Sequence, residues 1–297
     1  MTNGFSWNLI ADLHDIWQYD FMRHAFESGT VVAIVAGLVG YFVVLRRSAF
    51  AAHALSHVGF AGAAGAVLAG INPIAGLLVF TTGGGLTMAA LGRRAANRDT
   101  QVGIVLSFML GLGVLFISLY KGYATEAYSI LFGQILGVSA GDVIVTLIAG
   151  LAVLAVLAVI YRPLLFSSLD EEVAQAKGLP VTALGFGFMV LLAVAVSIAV
   201  QVVGVLLIFA LMVTPAAIAD RLTKTVGRGI GLSIAVALLA TWLGLFIAYY
   251  LSYPVSFFIT SLVFGTYLLV RLSGIIANGY FKNENKTDNS DFLADRD

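Results

Sequence analysis

The strongest constraint on this chain is a series of nearly uncharged apolar runs, each about 20 residues long, that recur along most of its length. A helix of about 20 residues spans the hydrocarbon core of a bilayer, whereas an open strand in lipid leaves its backbone N–H and C=O groups unpaired. The composition agrees, because 60% of the 297 residues are hydrophobic and 11% are charged, against about a quarter in soluble domains. The sequence therefore predicts an all-α, polytopic bundle of transmembrane helices.

The apolar runs predict nine spans, and counts of eight or ten stay open because hydropathy says little about helix breaks. The predicted spans are 24–45, 53–70, 73–91, 102–120, 142–161, 181–200, 202–219, 229–251 and 254–271. Most cations lie at alternate ends of these spans, at Arg46, Arg47, Arg93, Arg94, Arg98, Arg162, Lys177, Arg221, Lys224, Arg228 and Arg271. The positive-inside rule makes these ends cytoplasmic, and with nine spans the N-terminus lies outside and the C-terminus inside.

Three segments differ from simple spans. Residues 1–20 are polar and aromatic, and we expect an N-terminal segment lying in the membrane interface ahead of a membrane domain over 21–272. Residues 125–139 are too short and too rich in glycine to cross the bilayer, so we expect a short, partly re-entrant helix. Residues 273–297 are polar and charge-rich, and we expect a disordered cytoplasmic tail.

Composition also excludes several functions. Cysteine is absent, which excludes disulfides and thiolate metal sites, and the net charge of zero argues against a general affinity for nucleic acid. The phosphate-binding pattern G-x-x-x-x-G-K-[ST] cannot occur, because the chain contains no Gly-Lys pair. We therefore expect the chain not to be an enzyme itself, and any ATP that drives it to be hydrolysed by another chain.

Two of the four histidines, His53 and His57, lie four residues apart within an apolar, glycine-rich run. On a helix they share one face, one turn apart, and both side chains can contact a single ion. Ionisable side chains inside a membrane are costly and are functional by default. The alternative is that each imidazole hydrogen-bonds a neighbouring backbone or hydroxyl group. The pair also resembles the H-E-x-x-H motif of zinc proteases, but Ala54 stands in place of the general-base glutamate, so hydrolysis is not supported.

The run after His57 is spaced for close helix packing. Small residues recur every four positions in two series, Gly62, Ala66 and Gly70, and Ala61, Gly65 and Ala69. This small-xxx-small pattern predicts a central helix that approaches its neighbours closely on two faces.

A candidate entrance cluster lies at the outer end of the first span. Asp20, His24 and Glu27 have helical spacing, and acidic groups there can raise the local concentration of cations. The alternative is an ordinary polar helix end.

A short amphipathic helix is predicted between two spans, near 167–178. Ser167 or Ser168 can cap it, acidic residues suit its first turn, and Lys177 and Gly178 suit its end. It is either a solvated loop helix or a docking element for a cytoplasmic motor. The residues assigned to such docking are Asp170, Glu171, Glu172, Ala174, Lys177 and Gly178.

Four separated motifs resemble those of ABC-transporter permeases for divalent metal ions, the ABC-3 family of zinc, manganese and iron importers. They are "VLRRSAFAAHALSHVGFAGAAGAVLAG", "ILFGQILGVSAGDV", "LDEEVAQAKGLPV" and "VVGVLLIFALMVTPAAIADRL". The resemblance covers roughly residues 20–272 and implies a type II ABC importer-like permease in the bacterial cytoplasmic (inner) membrane. It also implies three partners: a cytoplasmic ABC ATPase dimer, an extracytoplasmic metal-binding protein and a second permease copy, either identical or a paralogue. The segment near 167–178 is then the coupling helix that docks on the ATPase.

At the two histidines, this sequence differs from the motif of the family that it resembles. The family motif resembles G-D-A-L-S-H, whose Asp and His are the expected metal contacts; here Ala52 replaces the Gly, His53 replaces the Asp, and His57 keeps the His. An imidazole in place of a carboxylate removes a negative charge and favours zinc over manganese. Gln134 stands where many relatives carry Asp, which weakens any second carboxylate site, and a structural role is expected for Asp142. No permanent cofactor is expected, because the metal ion is the substrate.

Two other transport functions stay open. An importer of a metal chelate, such as an iron-siderophore or cobalamin, needs a wide cavity and no intramembrane ligand pair. A proton-coupled secondary transporter could use histidine protonation, but it leaves the predicted coupling helix unexplained.

Overall fold

The computed structural model describes residues 17–91, 98–120, 133, 135–251 and 253–294, with side chains through Gly274. The helices are α1 Asp20–Leu45, α2 Ala49–Leu68, α3 Pro73–Leu91, α4 Arg98–Leu119, α5 Ala140–Leu169, α6 Glu171–Ala176, α7 Val181–Val203, α8 Val205–Leu222, α9 Val226–Tyr250 and α10 Val255–Ala294, and a 3-10 turn spans Ile135–Gly137. Nine of the helices described, all except α6, are long and apolar enough to cross a membrane. The prediction of an all-α, multi-pass bundle is confirmed, and no strand occurs among these residues.

Several predicted boundaries move. Helix α2 begins at Ala49, so His53 lies one turn inside the helix and not at its first residue. Helix α5 continues through Pro163 to Leu169, eight residues beyond the predicted end, because apolar packing of the fully buried Leu164 outweighs the backbone hydrogen bond that proline removes. The break between α7 and α8 falls at Gly204, whose φ of +83° is accessible to glycine without strain.

Some predicted segments lie outside the described residues. These are most of 1–20, most of the expected re-entrant helix over 125–139, and Gln134. The backbone of α10 is helical to Ala294, past the predicted domain boundary at 272, and its apolar part ends at Gly274. The interfacial segment, the re-entrant helix and the disordered tail stay predictions.

Helices α1, α2, α7 and α8 form the centre of the bundle, since at least half of the most apolar stretch of each is buried, whereas less than a quarter of that stretch is buried in α4, α5 and α10. The exposed faces are apolar: Val159 on α5 is 81% exposed and Leu269 on α10 is 71% exposed. Large exposed apolar surfaces of this kind are typical of contact with lipid. The bundle therefore places α2, with both histidines, among its inner helices.

Close packing of α2 on two faces is confirmed. On one face Gly62 meets Gly76 of α3, and a Cβ on either glycine would overlap the carbonyl oxygen of the other. On the other face a Cβ at Gly65 would lie 2.8 Å from the ring of Phe116 in α4. The small residues allow α2 to fit between both neighbours, as small-xxx-small helices do in membranes.

Gly40→Ala is expected to destabilise the bundle, because a Cβ there would overlap the backbone carbonyl of Met212 where α1 crosses α8. Overpacking of this kind costs about 1–3 kcal/mol. Gly111→Ala is the matched control, since Gly111 is also helical but has open space around its Cβ position; there alanine should be neutral or stabilising. Thermal unfolding of the detergent-purified variants measures both. Equal melting temperatures for Gly40→Ala and Gly111→Ala would contradict the close approach of α1 and α8.

The two ends of the bundle differ in charge. Arg46 lies against the end of α5 and the first half of α7, Arg221 lies over Tyr267 of α10, and Gly229 of α9 meets Tyr41 of α1. We call this end the basic side, defined by Arg46, Arg47, Lys177, Arg221 and Arg228. The opposite end, where α1 begins at Asp20, is the acidic side.

Candidate functional site

A tight turn at the basic side fixes where α2 begins. The backbone N–H of Ser48 donates to the carbonyl of Val43 at 2.9 Å, and the Ser48 hydroxyl donates to the same oxygen at 3.2 Å. Arg47 closes the turn with a φ of +52°. Bonds of this pattern satisfy the last carbonyls of a helix and end it sharply. Helix α2 therefore starts directly after α1 ends, on the same side.

The two histidines meet on one face of α2. The ring centroids of His53 and His57 lie 4.7 Å apart with the rings edge to face, and both side chains are half-buried. Metal–imidazole bonds are about 2.0–2.1 Å long, so two imidazoles that share one ion must be close neighbours, as these are. The structure thus brings together the pair that the sequence spacing predicted.

One nitrogen of the pair lacks a partner. Nδ1 of His53 is buried and has no hydrogen-bond partner among the described residues. The nearby Ser56 hydroxyl does not supply one, because it donates to the backbone carbonyl of His53 at 2.7 Å. Among the described residues, no neighbouring group satisfies this imidazole atom as that alternative requires. A buried polar atom without a partner is costly and calls for an explanation, such as a ligand.

Phe209 in α8 is a neighbour that the sequence analysis did not identify. Its ring centroid lies 4.9 Å from that of His53, with an interplanar angle of 67°. The contact restricts the orientation of the His53 ring from a second helix. A phenylalanine in an apolar span carries no signal that distinguishes it from other packing residues, so no local pattern could have found it.

Among the described residues, the pair is not part of a closed cage of metal ligands. The described residues contain no group of three or more His, Asp or Glu side chains that could hold a metal ion. Structural zinc sites use four protein ligands, whereas a transport site must release its ion, so binding has to be weak enough for the ion to leave. Two donors suit transfer better than permanent binding.

The predicted short helix is α6, and its cap differs from the prediction. Asp170 caps it, since Oδ1 accepts a hydrogen bond from the backbone N–H of Val173 at 2.9 Å. The predicted caps, Ser167 and Ser168, lie inside the longer α5, and both hydroxyls donate to the carbonyl of Leu164. The helix is therefore Glu171–Ala176, shorter than 167–178.

The end of α6 matches the sequence prediction. Gly178 follows it with a φ of +80°, and the backbone N–H of Leu179 donates to the carbonyl of Ala174 at 3.1 Å, a pattern typical of helix ends at glycine. The Lys177 ammonium lies 5.2 Å from the centre of the Phe166 ring. These contacts hold α6 against the end of α5.

The residues assigned to docking divide into two groups. Ala174 is fully buried, so it seats α6 on the bundle. The other assigned positions, Asp170, Glu171, Glu172, Lys177 and Gly178, are exposed. Val173, which the sequence analysis did not single out, adds an apolar side chain that is 43% exposed. Helix α6 thus presents an acidic surface with one apolar residue on the basic side.

Comparison with known proteins places these features in a family. The ABC 3 transport family matches residues 18–273, most of the chain. The chain belongs to this family. The family and the permease fold expected from the motifs are thereby confirmed.

Two relatives and one solved structure show how far the similarity extends. The manganese transport system membrane protein MntC of Listeria innocua is 34% identical over 222 residues, which are 74% of this chain and 79% of that protein. The manganese import system permease protein ScaB of Streptococcus gordonii is 35% identical over 225 residues, 75% of this chain and 80% of that protein. A structure of PsaBC from Streptococcus pneumoniae in complex with Fab is 32% identical, with a TM-score of 0.79, and covers 88% of this chain and 95% of that chain.

The candidate entrance cluster lies at the far end of this ABC 3 permease. Asp20 forms an exposed ion pair with Arg23 at 3.0 Å, which offsets part of its charge. His24 is half-buried, and the exposed Glu27 lines a groove of about 680 Å³ beside Trp242. All three predicted residues lie at the acidic-side end of α1, whereas the histidines follow its basic-side end. The structure does not bring the cluster to the histidine pair.

Asp142 has the structural contacts expected of it in this ABC 3 permease. Its carboxylate accepts from the backbone N–H and hydroxyl of Ser139, whose hydroxyl in turn accepts from the Asp142 N–H, a capping box that starts α5. Gln201 of α7 donates to the other carboxylate oxygen at 3.1 Å. These bonds engage both oxygens, so Asp142 ties α5 to α7.

Proposed function

We propose that this chain is the membrane-spanning permease subunit of an ATP-driven importer of divalent transition-metal ions, in which His53 and His57 contact the ion in transit. One observation carries the proposal: His53, whose buried Nδ1 has no hydrogen-bond partner among the described residues, packs edge to face against His57 inside a membrane-spanning helix. Intramembrane ionisable residues with this kind of unmet bonding capacity mark substrate pathways. The names of MntC and ScaB, both metal transport proteins, support it.

The proposed orientation puts the basic side in the cytoplasm and the N-terminus outside, in the bacterial inner membrane. The distribution of Lys and Arg supports this orientation. Helix α6 is then the coupling helix, which docks on a cytoplasmic ABC ATPase dimer. An extracytoplasmic metal-binding protein delivers the ion at the acidic side, where the candidate entrance cluster, Asp20, His24 and Glu27, lies. The chain contains no phosphate-binding loop of its own, which supports a separate motor.

Zinc is the proposed preferred ion, with manganese the second candidate and iron the third. Imidazole donors without a carboxylate favour zinc, whereas manganese prefers oxygen ligands. The relatives MntC and ScaB are named for manganese, and this favours manganese as the second candidate. A second permease copy in a homodimer would carry the same pair of imidazoles.

The proposed mechanism is alternating access. A loaded binding protein docks at the acidic side, and the ion passes to His53 and His57. Closure of the ATPase dimer moves α6 and reorients the pathway toward the basic side. The ion must be bound weakly enough for release, and the two imidazoles of one permease suit this better than a closed set of four ligands. The permease contributes selectivity and gating, and the ATPase contributes the chemistry.

Uptake into vesicles tests this function. The permease is reconstituted with its ATPase and binding protein, and uptake of zinc, manganese and iron is measured with and without ATP. We expect ATP-dependent uptake with zinc fastest. Uptake driven by a proton gradient without the ATPase would overturn the proposal in favour of a secondary transporter. Uptake of an iron chelate or cobalamin, but of no free ion, would overturn it in favour of a chelate importer.

A further inference from the structure

Arg46 joins three helices at the basic side. It is the residue that follows α1, and one guanidinium nitrogen donates to the hydroxyls of Ser168 at 3.1 Å and Ser167 at 3.3 Å, near the end of α5. The guanidinium carbon lies 5.3 Å from the centre of the Phe188 ring in α7. The planar guanidinium therefore hydrogen-bonds one helix and stacks on another at the same time.

Arg46 also lies between α6 and the start of α2, the helix that carries His53 and His57. On one side, α5 ends at Leu169 and leads into α6 through the single residue Asp170. Two cavities, of about 250 and 390 Å³, are both lined by Arg46 and by Glu171, the first residue of α6. On the other side, α2 begins three residues after Arg46, and His53 follows one turn later.

The turn between Arg46 and α2 is closed by hydrogen bonds. The N–H groups of Arg46, Arg47 and Ser48 donate to carbonyls of α1, and the Ser48 carbonyl accepts from the N–H of Ala52 in α2. A turn with these bonds keeps the end of α1 and the start of α2 in one arrangement. The contacts therefore run without a break from the α5 end through Arg46 to the first turn of α2, which leads to His53.

We propose that Arg46 is a positioning residue that couples the movement of α6 to the histidine pair. The inference rests on the proposed function, since it requires a motor at α6 and an ion at His53 and His57. Ser167 and Ser168 are its acceptors, and Phe188 is the surface on which its guanidinium rests. Lysine cannot replace it fully, because an ammonium lacks the planar fork that bonds and stacks together.

The test measures how many metal ions move for each ATP hydrolysed in the reconstituted complex of permease, ATPase and binding protein. For Arg46→Met we expect ATP hydrolysis to continue while the ratio of metal moved to ATP hydrolysed falls about tenfold, in line with the loss of hydrogen bonds from a charged group. Arg46→Lys should recover only part of the ratio. Arg47→Met is the matched control, because the exposed Arg47 next to it carries the same charge; it should keep the wild-type ratio.

A second set of variants keeps Arg46 and changes the two serines that accept its hydrogen bonds. Ser167→Ala combined with Ser168→Ala removes both acceptors, and we expect it to lower the ratio as Arg46→Met does. The triple variant should be no worse than Arg46→Met alone, because all the changes break one interaction. If Arg46→Met does not fold, the serine variant and Arg46→Lys carry the test.

The outcomes separate this inference from the proposed function. A purely structural role would lower uptake and hydrolysis together and leave their ratio unchanged, which would overturn the inference. An unchanged ratio in the serine variant would also overturn it. Failure of the wild-type complex to move metal with ATP would instead overturn the proposed function, on which the inference rests.

Discussion

Replacing His57 by alanine is expected to lower ATP-dependent metal uptake at least about 100-fold. Losing a hydrogen-bond partner behind a metal ligand already costs about 10–100-fold in affinity, and this variant removes one of the two imidazoles of the proposed site. The half-buried position of the side chain limits the extent to which water can replace it. Radioactive zinc and manganese uptake in the reconstituted complex measures the effect.

Ser56→Ala is the matched control for His57→Ala. Ser56 lies on the same helix, one residue away, but its hydroxyl bonds the backbone carbonyl of His53 and both imidazoles remain. We expect near wild-type uptake for this variant. If His57→Ala and Ser56→Ala transport equally well, the histidine pair is a packing feature and the ion takes another route.

His53→Asp tests selectivity at the same site. The change introduces the carboxylate that the resemblance leads us to expect at this position and adds an oxygen donor, which manganese prefers over imidazole. We expect the ratio of zinc uptake to manganese uptake to fall, while total uptake persists. The contact with the Phe209 ring is lost as well, so Phe209→Leu provides a comparison in which the packing changes and the ligands do not. A zinc-to-manganese ratio that is the same in wild type and His53→Asp would count against selection by this pair.

The second large effect is expected at α6. Val173→Asp places a charge on the apolar residue of its exposed surface, where the ATPase is proposed to bind. Desolvating a new charge in an interface is costly, and the few residues that dominate an interface each contribute about 2 kcal/mol or more. We therefore expect the permease to capture its ATPase at least about tenfold less strongly and to lose ATP-dependent uptake. Copurification with a tagged ATPase measures the capture.

Val173→Leu is the control for Val173→Asp, since it keeps an apolar side chain of similar size and should retain the ATPase. Both variants should unfold at the wild-type temperature without the ATPase, because Val173 is exposed while Ala174, next to it, provides the buried contact of α6. Full ATPase capture by Val173→Asp would show that α6 is a solvated loop helix, and the motor would then bind elsewhere on the basic side.

The histidine pair shows how far local patterns reach. A spacing of four residues on a helix places two side chains on one face whatever the rest of the fold does, so the proximity of His53 and His57 could be predicted. The start of α2 could not, because the residues between Arg47 and His53 are as apolar as the span itself, and the turn is set by hydrogen bonds to Val43 in the preceding helix.

The cap of α6 shows how a local prediction fails. Ser167, Ser168 and Asp170 are all good helix caps, and the sequence offers no reason to prefer the aspartate. The choice depends on where α5 ends, and α5 passes Pro163 because Leu164 is buried against other helices. Once α5 reaches Leu169, both serines belong to it and only Asp170 is free to cap α6.

The sequence alone indicated the membrane class, a bundle of about nine spanning helices, the close packing of α2 and the family, because the first three depend on residue type and spacing within single segments and the family on short motifs. The tertiary structure alone decided which residues surround the site. Phe209 lies 156 positions after His53, and Ser167 and Ser168 lie 121 and 122 positions after Arg46. Contacts between such distant segments arise from how whole helices pack, and no pattern within either segment records them.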